Sequence, residues 1–235
     1  MKRNIILVTA ENTEVGKTFT SCALIKALTD HGHIIGARKP LESYQPGETR
    51  DSHLLSLASN DDTVVNPDWS YELPMAPIMA GRALSRYVPS TKEVVRYLDD
   101  CEKDKCLTLL EGVGGPYSPL TSDGNTLSLI KLLKPKIVLL VIKSGLGAIN
   151  STLLCLSPLV NEKVIVYFNR YDPTDLVHKT NIEFLEKLLK DGTSLGIPGN
   201  KTFPDVTLTT DLDILRDLCE KEFSGCHFYN TNETK

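Results

Sequence analysis

A Gly-Lys-Thr triplet at residues 16–18 lies where an apolar segment meets a helical pattern. The apolar segment, Asn4–Thr9, predicts a strand, and apolar side chains recurring on one face of Lys17–Thr29 predict a helix. At such a junction, backbone N–H groups and the helix N-terminus attract phosphate oxygens. The Lys17 side chain would reach the β- and γ-phosphates of a nucleotide, and the Thr18 hydroxyl would bind Mg²⁺. The residues therefore predict a phosphate-binding loop; the alternative is an ordinary lysine at the start of a helix.

The start of this loop departs from the usual pattern. The common motif has a glycine where this chain has Glu11, and a variant with one more intervening residue has it where this chain has Ala10. Alanine fits there if the local φ is negative, and it costs about 1 kcal/mol or more if φ is positive.

Charged side chains stand at the ends of other apolar segments. Lys39 ends one such segment, and Glu111 directly follows another and precedes a glycine-rich turn. A carboxylate has few structural reasons to follow a buried strand, so Glu111 is a strong candidate for a functional site. Together with Thr18 and Asp51 it would supply three oxygen ligands of the kind that Mg²⁺ prefers. Asp51 could instead cap the helix that it begins, and Lys39 could be a solvated lysine.

Strand-like and helix-like segments alternate along the chain. Several strand segments are apolar throughout, which is typical of strands buried on both faces. The alternation predicts an α/β fold, a single domain over residues 1–235 with a mostly parallel sheet and helices on both faces. Ligands in such folds bind beyond the carboxyl ends of the strands. Besides the first strand and helix, the patterns predict strands at Ile34–Lys39, Cys106–Leu110, Ile137–Ile142 and Val164–Phe168, a loop at Pro40–Arg50, and helices at Asp51–Ala58, Ala76–Ser85, Thr91–Cys101, Ile149–Val160, Asp175–Lys190 and Asp211–Phe223.

The composition argues against several classes of partner. The 235 residues include 26 Lys and Arg against 30 Asp and Glu, a formal net charge of −4. Nucleic acids and anionic membranes attract basic surfaces instead. The longest aliphatic run, Ile137–Ile142, is much shorter than the roughly 20 residues of a membrane helix, and the N-terminus lacks a signal-peptide pattern. We expect a cytoplasmic protein that binds neither nucleic acid nor membrane.

The six cysteines are scattered through a chain long enough to bury its own core. We therefore expect free thiols rather than a disulfide framework. A minor alternative is a metal site formed late in the chain by Cys219, Cys226 and His227.

Several motifs, in chain order, carry a resemblance to a known family. Over about residues 4–198 the chain resembles the dethiobiotin synthetases, whose phosphate loop has five residues between its two glycines. The resemblance implies a P-loop NTPase-like fold. The matching segments are Thr13–Thr18, Arg38–Pro40 with Ser43, Asp51, Leu110–Gly115 with Pro119 and Leu120, Gly145–Asn150, and Phe168 with Asn169.

The resemblance implies a ligase of biotin biosynthesis that closes a cyclic urea. In that reaction, 7,8-diaminopelargonate takes up CO₂ as a carbamate on one amine, and the carbamate oxygen attacks the γ-phosphate of ATP. The second amine then attacks the mixed anhydride, which releases phosphate and dethiobiotin. ATP is the expected co-substrate and Mg²⁺ the expected metal ion; other nucleoside triphosphates are an alternative.

The resemblance also assigns roles to residues. Lys17 would bind the phosphates, Lys39 would stabilise the carbamate and the developing charge, and Thr13 and Ser43 would lie beside them as further catalytic residues. A homodimer is implied, in which the loop Gly145–Asn150, which opens a helix, reaches across the interface to hold the substrate carboxylate. The implied nucleotide contacts are Glu14, Val15, Gly16, Lys17, Thr18, Phe19 and Asn169; the metal ligands are Thr18, Asp51 and Glu111; the substrate contacts are Thr13, Lys39, Ser43, Gly112, Gly147, Ala148, Ile149 and Asn150.

Two other functions fit the same architecture. A partition-type switch ATPase would have a second lysine in the loop, where this chain has Asn12. A non-enzymatic nucleotide-binding module would fit the altered start of the loop at Ala10, but it would not explain Lys39, Asp51 and Glu111 at the strand ends. Turnover that ignores the diamine would indicate the switch, and binding without turnover would indicate the module.

Overall fold

Parallel strands form the centre of the protein. The computed structural model describes residues 3–101, 107–191 and 205–224, and its strands are β1 (Arg3–Ala10), β2 (Ile35–Arg38), β3 (Glu42–Ser43), β4 (Ser70–Tyr71), β5 (Leu107–Glu111), β6 (Pro135–Lys143), β7 (Val164–Asn169) and β8 (Val206–Thr209). Six strands pair in the order β2-β5-β1-β6-β7-β8, and β3 pairs with β4. All of these pairs are parallel. The predicted α/β fold is therefore confirmed.

Helices connect the strands, and polar side chains begin several of them. The helices in the described residues are α1 (Lys17–Asp30), α2 (Asp51–Ser59), α3 (Pro77–Ala83), α4 (Thr91–Cys101), α5 (Thr126–Leu133), α6 (Ala148–Leu156), α7 (Leu176–Asp191) and α8 (Leu212–Glu222). Ser90 begins α4 in a capping box, since its Oγ accepts from the Glu93 N–H and the Glu93 carboxylate accepts from the Ser90 N–H. The Asn125 and Asp211 side chains likewise cap α5 and α8. None of these helices is long and apolar enough to cross a membrane.

Alternate residues of the central strands face two hydrophobic cores, one on each side of the sheet. Leu7 and Leu140 pack on one side, together with buried residues of α4, α5, α6 and α7. Ile6 and Leu139 pack on the other, against α1, α2 and α8. Burial on both faces explains why the central strands read as continuous apolar runs. It also leaves the strand ends as the place where polar side chains can gather.

Several predicted element boundaries were wrong. The predicted loop Pro40–Arg50 contains β3, which is only two residues long and too short to produce a periodic pattern. The predicted helix Ile149–Val160 ends at Leu156, where Pro158 lies in a short 3₁₀ turn. The predicted helix Ala76–Ser85 is α3, which ends at Ala83, and Ser85 has a left-handed φ of 52°. Three elements, β4, α5 and β8, were absent from the prediction altogether.

The described cysteines Cys22, Cys101, Cys155 and Cys219 are free thiols, as expected. The alternative metal site lies partly outside the described residues, because Cys226 and His227 do. Cys219 itself is fully buried in the core beneath α8.

Candidate active site

The loop between β1 and α1 has the geometry that phosphate binding requires. Gly16 precedes α1 with a φ of 96°, in the left-handed region that favours glycine. Lys17 begins the helix and is only 9% exposed, and its Nζ donates a hydrogen bond of 3.4 Å to the Asn12 carbonyl. Ala10 is the last residue of β1 and has ordinary extended backbone, so the missing glycine causes no strain.

Asn169, at the end of β7, supports this loop from below. Its Nδ2 donates to the Val15 carbonyl over 2.9 Å, and the side chain is buried. A Cβ atom placed on Gly16 would lie 2.1 Å from that nitrogen, so Gly16 is needed for space as well as for its φ. The structure thus places Asn169, an expected nucleotide contact, against the backbone of the phosphate loop.

A buried lysine and two carboxylates meet at the ends of β2 and β5. The Lys39 Nζ donates to Asp51 Oδ2 over 2.6 Å and to Glu111 Oε1 over 2.7 Å. The Thr18 hydroxyl also donates to Glu111 Oε1, over 2.9 Å. The other oxygen of Glu111 accepts from the Ser21 hydroxyl at 2.8 Å. Glu111, only 1% exposed, is therefore the centre of the cluster.

The charges of this cluster act on one another. Burial would lower the pKa of Lys39, but the carboxylates of Glu111 and Asp51 outweigh it and raise this pKa above its ordinary value. Burial and the neighbouring Lys39 charge lower the pKa of Lys17, against the opposing effect of the carboxylates. Burial would raise the pKa of Asp51, but the Lys39 ammonium holds it below its usual range.

Three predicted metal ligands converge around this lysine. Thr18 donates to the same Glu111 oxygen that accepts from Lys39, and Lys39 also donates to Asp51, so a hydroxyl and two carboxylates gather around one ammonium group. Hard oxygen donors of this kind suit Mg²⁺. Asp51 does not cap α2, since Arg50 occupies the N-cap position without a side-chain cap bond and Asp51 pairs with Lys39.

A cavity of about 1420 Å³ opens above the cluster and the phosphate loop. Most of the predicted site residues line it: Thr13, Glu14, Val15, Gly16, Lys17, Thr18, Phe19, Lys39, Ser43 and Asp51. Ser43 lies at the wall with its hydroxyl donating to the Met75 carbonyl. Gly112 lies outside the lining and is packed tightly, because a Cβ there would lie 3.0 Å from the Thr126 side chain and 3.2 Å from the Val8 carbonyl.

The loop after β6 has a different position. Gly145 and Leu146 line the cavity, whereas Gly147 and the following predicted substrate contacts, Ala148, Ile149 and Asn150, do not. Gly147 is the N-cap of α6, with a φ of 88°. The Leu146 side chain is 93% exposed at the tip of the loop. Gly145 and Leu146 thus lie at the cavity of their own chain, whereas the start of α6 lies outside its lining.

Sequence reasoning missed two residues that organise the cluster. Ser21 lies three residues after Thr18 on α1, so the helical repeat places both hydroxyls on one face, and that spacing could have identified it. Glu42 is 1% exposed and accepts hydrogen bonds from Ser52 and Ser70, but nothing in its surrounding sequence predicts burial.

The fold and this site define a class of protein. In this parallel sheet, a Gly-Lys-Thr loop joins the first strand to the first helix, and a lysine and acidic residues gather at neighbouring strand ends. These features define a P-loop nucleotide-binding protein. A family model described as an AAA domain matches residues 4–189.

Sequence similarity to known proteins identifies the family within this class. The ATP-dependent dethiobiotin synthetase BioD of Parafrankia sp. (strain EAN1pec) is 32% identical over 190 residues, 79% of each chain. The enzyme of the same name from Aquifex aeolicus (strain VF5) is 30% identical over 186 residues, 78% of this chain and 84% of the relative. The chain belongs to the dethiobiotin synthetase family. A solved ParA family ATPase from Chlorobium tepidum TLS covers 100% of this chain and 93% of its own at 12% identity with a TM-score of 0.48, too remote a likeness to bear on function.

Proposed function

We propose that this protein is an ATP- and Mg²⁺-dependent cyclo-ligase. It would carboxylate 7,8-diaminopelargonate with CO₂ and close the ring to dethiobiotin, with ADP and phosphate as the other products. The observation that carries the proposal is the meeting of Lys17, Lys39 and Glu111 at one edge of the sheet, in a chain that belongs to this family. We further propose that the enzyme is cytoplasmic and that the whole chain acts as one nucleotide-binding and catalytic domain.

The reaction brings two anions together, and the two lysines would neutralise part of their negative charge. The carbamate oxygen must attack the γ-phosphate although both groups are negatively charged, so positioning and charge neutralisation dominate the barrier. Lys17 would bind the phosphates from the start of α1, beside the N–H groups of the loop. Lys39 would face the carbamate and the transferring group. Because Glu111 and Asp51 raise its pKa, Lys39 would meet both anions as a full cation.

The oxygen donors of the cluster fit the metal ion that the family implies. Thr18, Asp51 and Glu111 would hold Mg²⁺, which supplies positive charge beside the phosphate oxygens when bound. The Ser21 hydroxyl donates to Oε2 of Glu111, and this bond restricts rotation of the carboxylate.

Ring closure then follows within the same cavity. The second amine attacks the carbonyl carbon of the carbamic-phosphoric anhydride, the C–O bond to phosphate breaks, and inorganic phosphate leaves. Thr13 and Ser43 line the same cavity as the two lysines and would orient the diamine.

We propose a homodimer in which the loop around Leu146 serves the partner's site. Two observations support it: Leu146 is 93% exposed, and residues 147–150 do not line the cavity of their own chain. Backbone N–H groups at the start of α6 are suited to hold the substrate carboxylate.

Phosphate release tests the proposal directly. The protein would be incubated with Mg²⁺, bicarbonate and each of ATP, GTP and CTP, with and without 7,8-diaminopelargonate. We expect release that requires the diamine, with dethiobiotin identified by mass spectrometry, and the ranking of the nucleotides would define the preferred base.

Two results would contradict the proposal. Release at the same rate without the diamine would indicate a switch ATPase. Nucleotide binding with no release under any of these conditions would indicate a binding module.

A further inference from the structure

Glu42 is a buried carboxylate to which the proposed reaction gives no role. It lies in β3, and its side chain is 2% exposed. Oε1 accepts from the Ser52 hydroxyl at 2.8 Å and from the Ser70 hydroxyl at 2.8 Å, and Oε2 accepts from the Ser52 N–H at 3.2 Å. The Arg50 guanidinium lies 3.6 Å from Oε1. Ser52, Ser70 and Arg50 thus surround this carboxylate, and each of its oxygens has a hydrogen-bond donor.

These bonds join three separate segments of the chain. Ser70 is the β4 partner of Glu42 in the small parallel sheet, whereas Ser52 is the second residue of α2. A helix start leaves N–H groups without partners inside the helix, and Glu42 satisfies one of them from outside. The helix therefore begins at a fixed place relative to β3.

Asp51 is the residue that this arrangement places. It lies between Arg50 and Ser52, both of which contact Glu42, and its own carboxylate accepts from Lys39 at 2.6 Å. The Asp51 side chain is 45% exposed, and its partners Lys39 and Thr18 lie outside α2. Its position depends on the first turn of α2, and Glu42 holds that turn.

We propose that Glu42 is a positioning residue for the metal site, which sets Asp51 to bind Mg²⁺ with the nucleotide. The inference rests on the proposed function, because that function assigns Asp51 to the metal. It adds a carboxylate in the wall of the cavity that acts on the metal site through the start of α2.

Isothermal titration calorimetry with a non-hydrolysable ATP analogue tests this inference. Each protein would be titrated with the analogue in Mg²⁺ and, separately, in EDTA. Loss of an outer-sphere partner commonly weakens metal affinity about 10- to 100-fold, so we expect Glu42→Ala to weaken binding at least about 10-fold in Mg²⁺ and less than about 2-fold in EDTA. Glu42→Gln keeps an acceptor for Ser52 and should restore most of the Mg²⁺-dependent affinity.

Two further pairs of variants separate positioning from general damage. Ser52→Ala removes one donor to Glu42 and should weaken binding in Mg²⁺ only, whereas Ser59→Ala, which removes a hydroxyl bonded to the Leu55 carbonyl on the same helix, should change neither titration. Glu72→Ala, an exposed carboxylate bonded to the Tyr44 hydroxyl, is the control for Glu42→Ala. Thermal unfolding of each variant would be recorded alongside.

The outcomes are distinct. If the wild-type protein binds the analogue equally in Mg²⁺ and EDTA, the proposed metal site fails and the inference fails with it. If the wild type depends on Mg²⁺ but Glu42→Ala and Ser52→Ala behave like their controls, or lose affinity equally in EDTA, the inference alone is overturned. Should Glu42→Ala not fold, Glu42→Gln and Ser52→Ala decide the question.

Discussion

The ammonium group of Lys39 lies between the two carboxylates of the proposed metal site, within 2.7 Å of each. The positive charge of Lys39 therefore offsets the negative charges of Glu111 and Asp51. Because Lys39 also lines the cavity, it can act on an anionic substrate there. Lys17, by contrast, bonds only to a loop carbonyl among its described contacts. Two lysines in one cavity thus have different surroundings, and this difference should separate their roles.

Replacing each lysine should separate binding from turnover. Lys17→Ala should lose nucleotide affinity and turnover together. Lys39→Ala should keep nucleotide affinity within a few-fold and lose turnover by at least about 100-fold, the scale of removing one charge-stabilising group. Calorimetry with ADP and steady-state phosphate release would measure both, with Lys26→Ala, an exposed lysine paired to Asp30, as control. Equal losses of affinity at Lys17 and Lys39 would refute the assigned roles.

Two glycines with positive φ should respond differently to alanine. Gly16→Ala meets the Asn169 amide at 2.1 Å and should abolish nucleotide binding, whereas Gly147→Ala meets nothing within 4 Å and should cost only backbone strain, about 1 kcal/mol. The double variant Gly16→Ala with Asn169→Ala removes the clash and should recover part of the affinity in a nucleotide titration. Normal binding by Gly16→Ala alone would show that the loop tolerates a side chain there.

Much of the cluster could be predicted because its residues follow strands, and parallel strands end at one edge. Lys39 and Glu111 meet for that reason, and Thr18 and Asp51 join them from the first turns of α1 and α2. Their mutual hydrogen bonds could not be predicted, because small shifts in side-chain position decide whether each bond forms. Glu42 shows the same limit, because burial of a single carboxylate depends on donors 10 and 28 residues away.

At the scale of elements, a buried ion pair holds the edge strand β2 in place. The Arg38 guanidinium donates to Asp61 Oδ2 at 2.7 Å and to the Cys101 carbonyl at 3.1 Å, which joins β2 to the segment after α2 and to the end of α4. Burial would raise the pKa of Asp61, but hydrogen bonds from Thr63 and Arg38 hold it well below its usual range.

This ion pair should make stability depend on acid pH. Because the folded-state pKa of Asp61 lies below its unfolded value of about 4, its contribution is present above that pH and is lost as pH falls below it. Asp61→Asn should destabilise the protein by about 3 kcal/mol at pH 7, since it leaves Arg38 buried without its counter-ion. Urea unfolding at several pH values would measure both effects. Asp62→Asn, the exposed neighbour, is the control, and equal unfolding free energies for the two variants would contradict the argument.

Element prediction succeeded where burial produced long apolar runs. The segments that became β1, β6 and β7 were identified for that reason, and the wrong boundaries fall where the pattern is short. Thus β3 and β4 have two residues each, and α5 has eight. In such short elements tertiary pairing and capping decide the structure, and local pattern contributes little.

At the scale of the whole molecule, the proposed exchange of loops between subunits is testable by mixing variants. Lys39→Ala disables the site of its own chain, and Leu146→Asp places a charge at the tip of the loop, which would serve the partner's site. In a mixture, random pairing should restore about a quarter of wild-type turnover, because half the dimers would each have one intact site.

Sedimentation velocity of each variant and of the mixture would confirm that dimers are present. A mixture that stays inactive while dimers form would show that the loop acts on its own chain. A fully active monomer would exclude the dimer itself.

The position of β1 in the sheet has a consequence for synthesis on the ribosome. This strand carries the phosphate loop and is made before the other described strands, yet its neighbours are β5 and β6, and β5 begins about 100 residues later. At translation rates of about 5–20 residues per second, roughly 5 to 20 seconds pass between synthesis of β1 and synthesis of its first partner strand. During that time the nascent chain exposes an apolar strand with both edges free, a segment that chaperones bind and that truncated chains would present permanently.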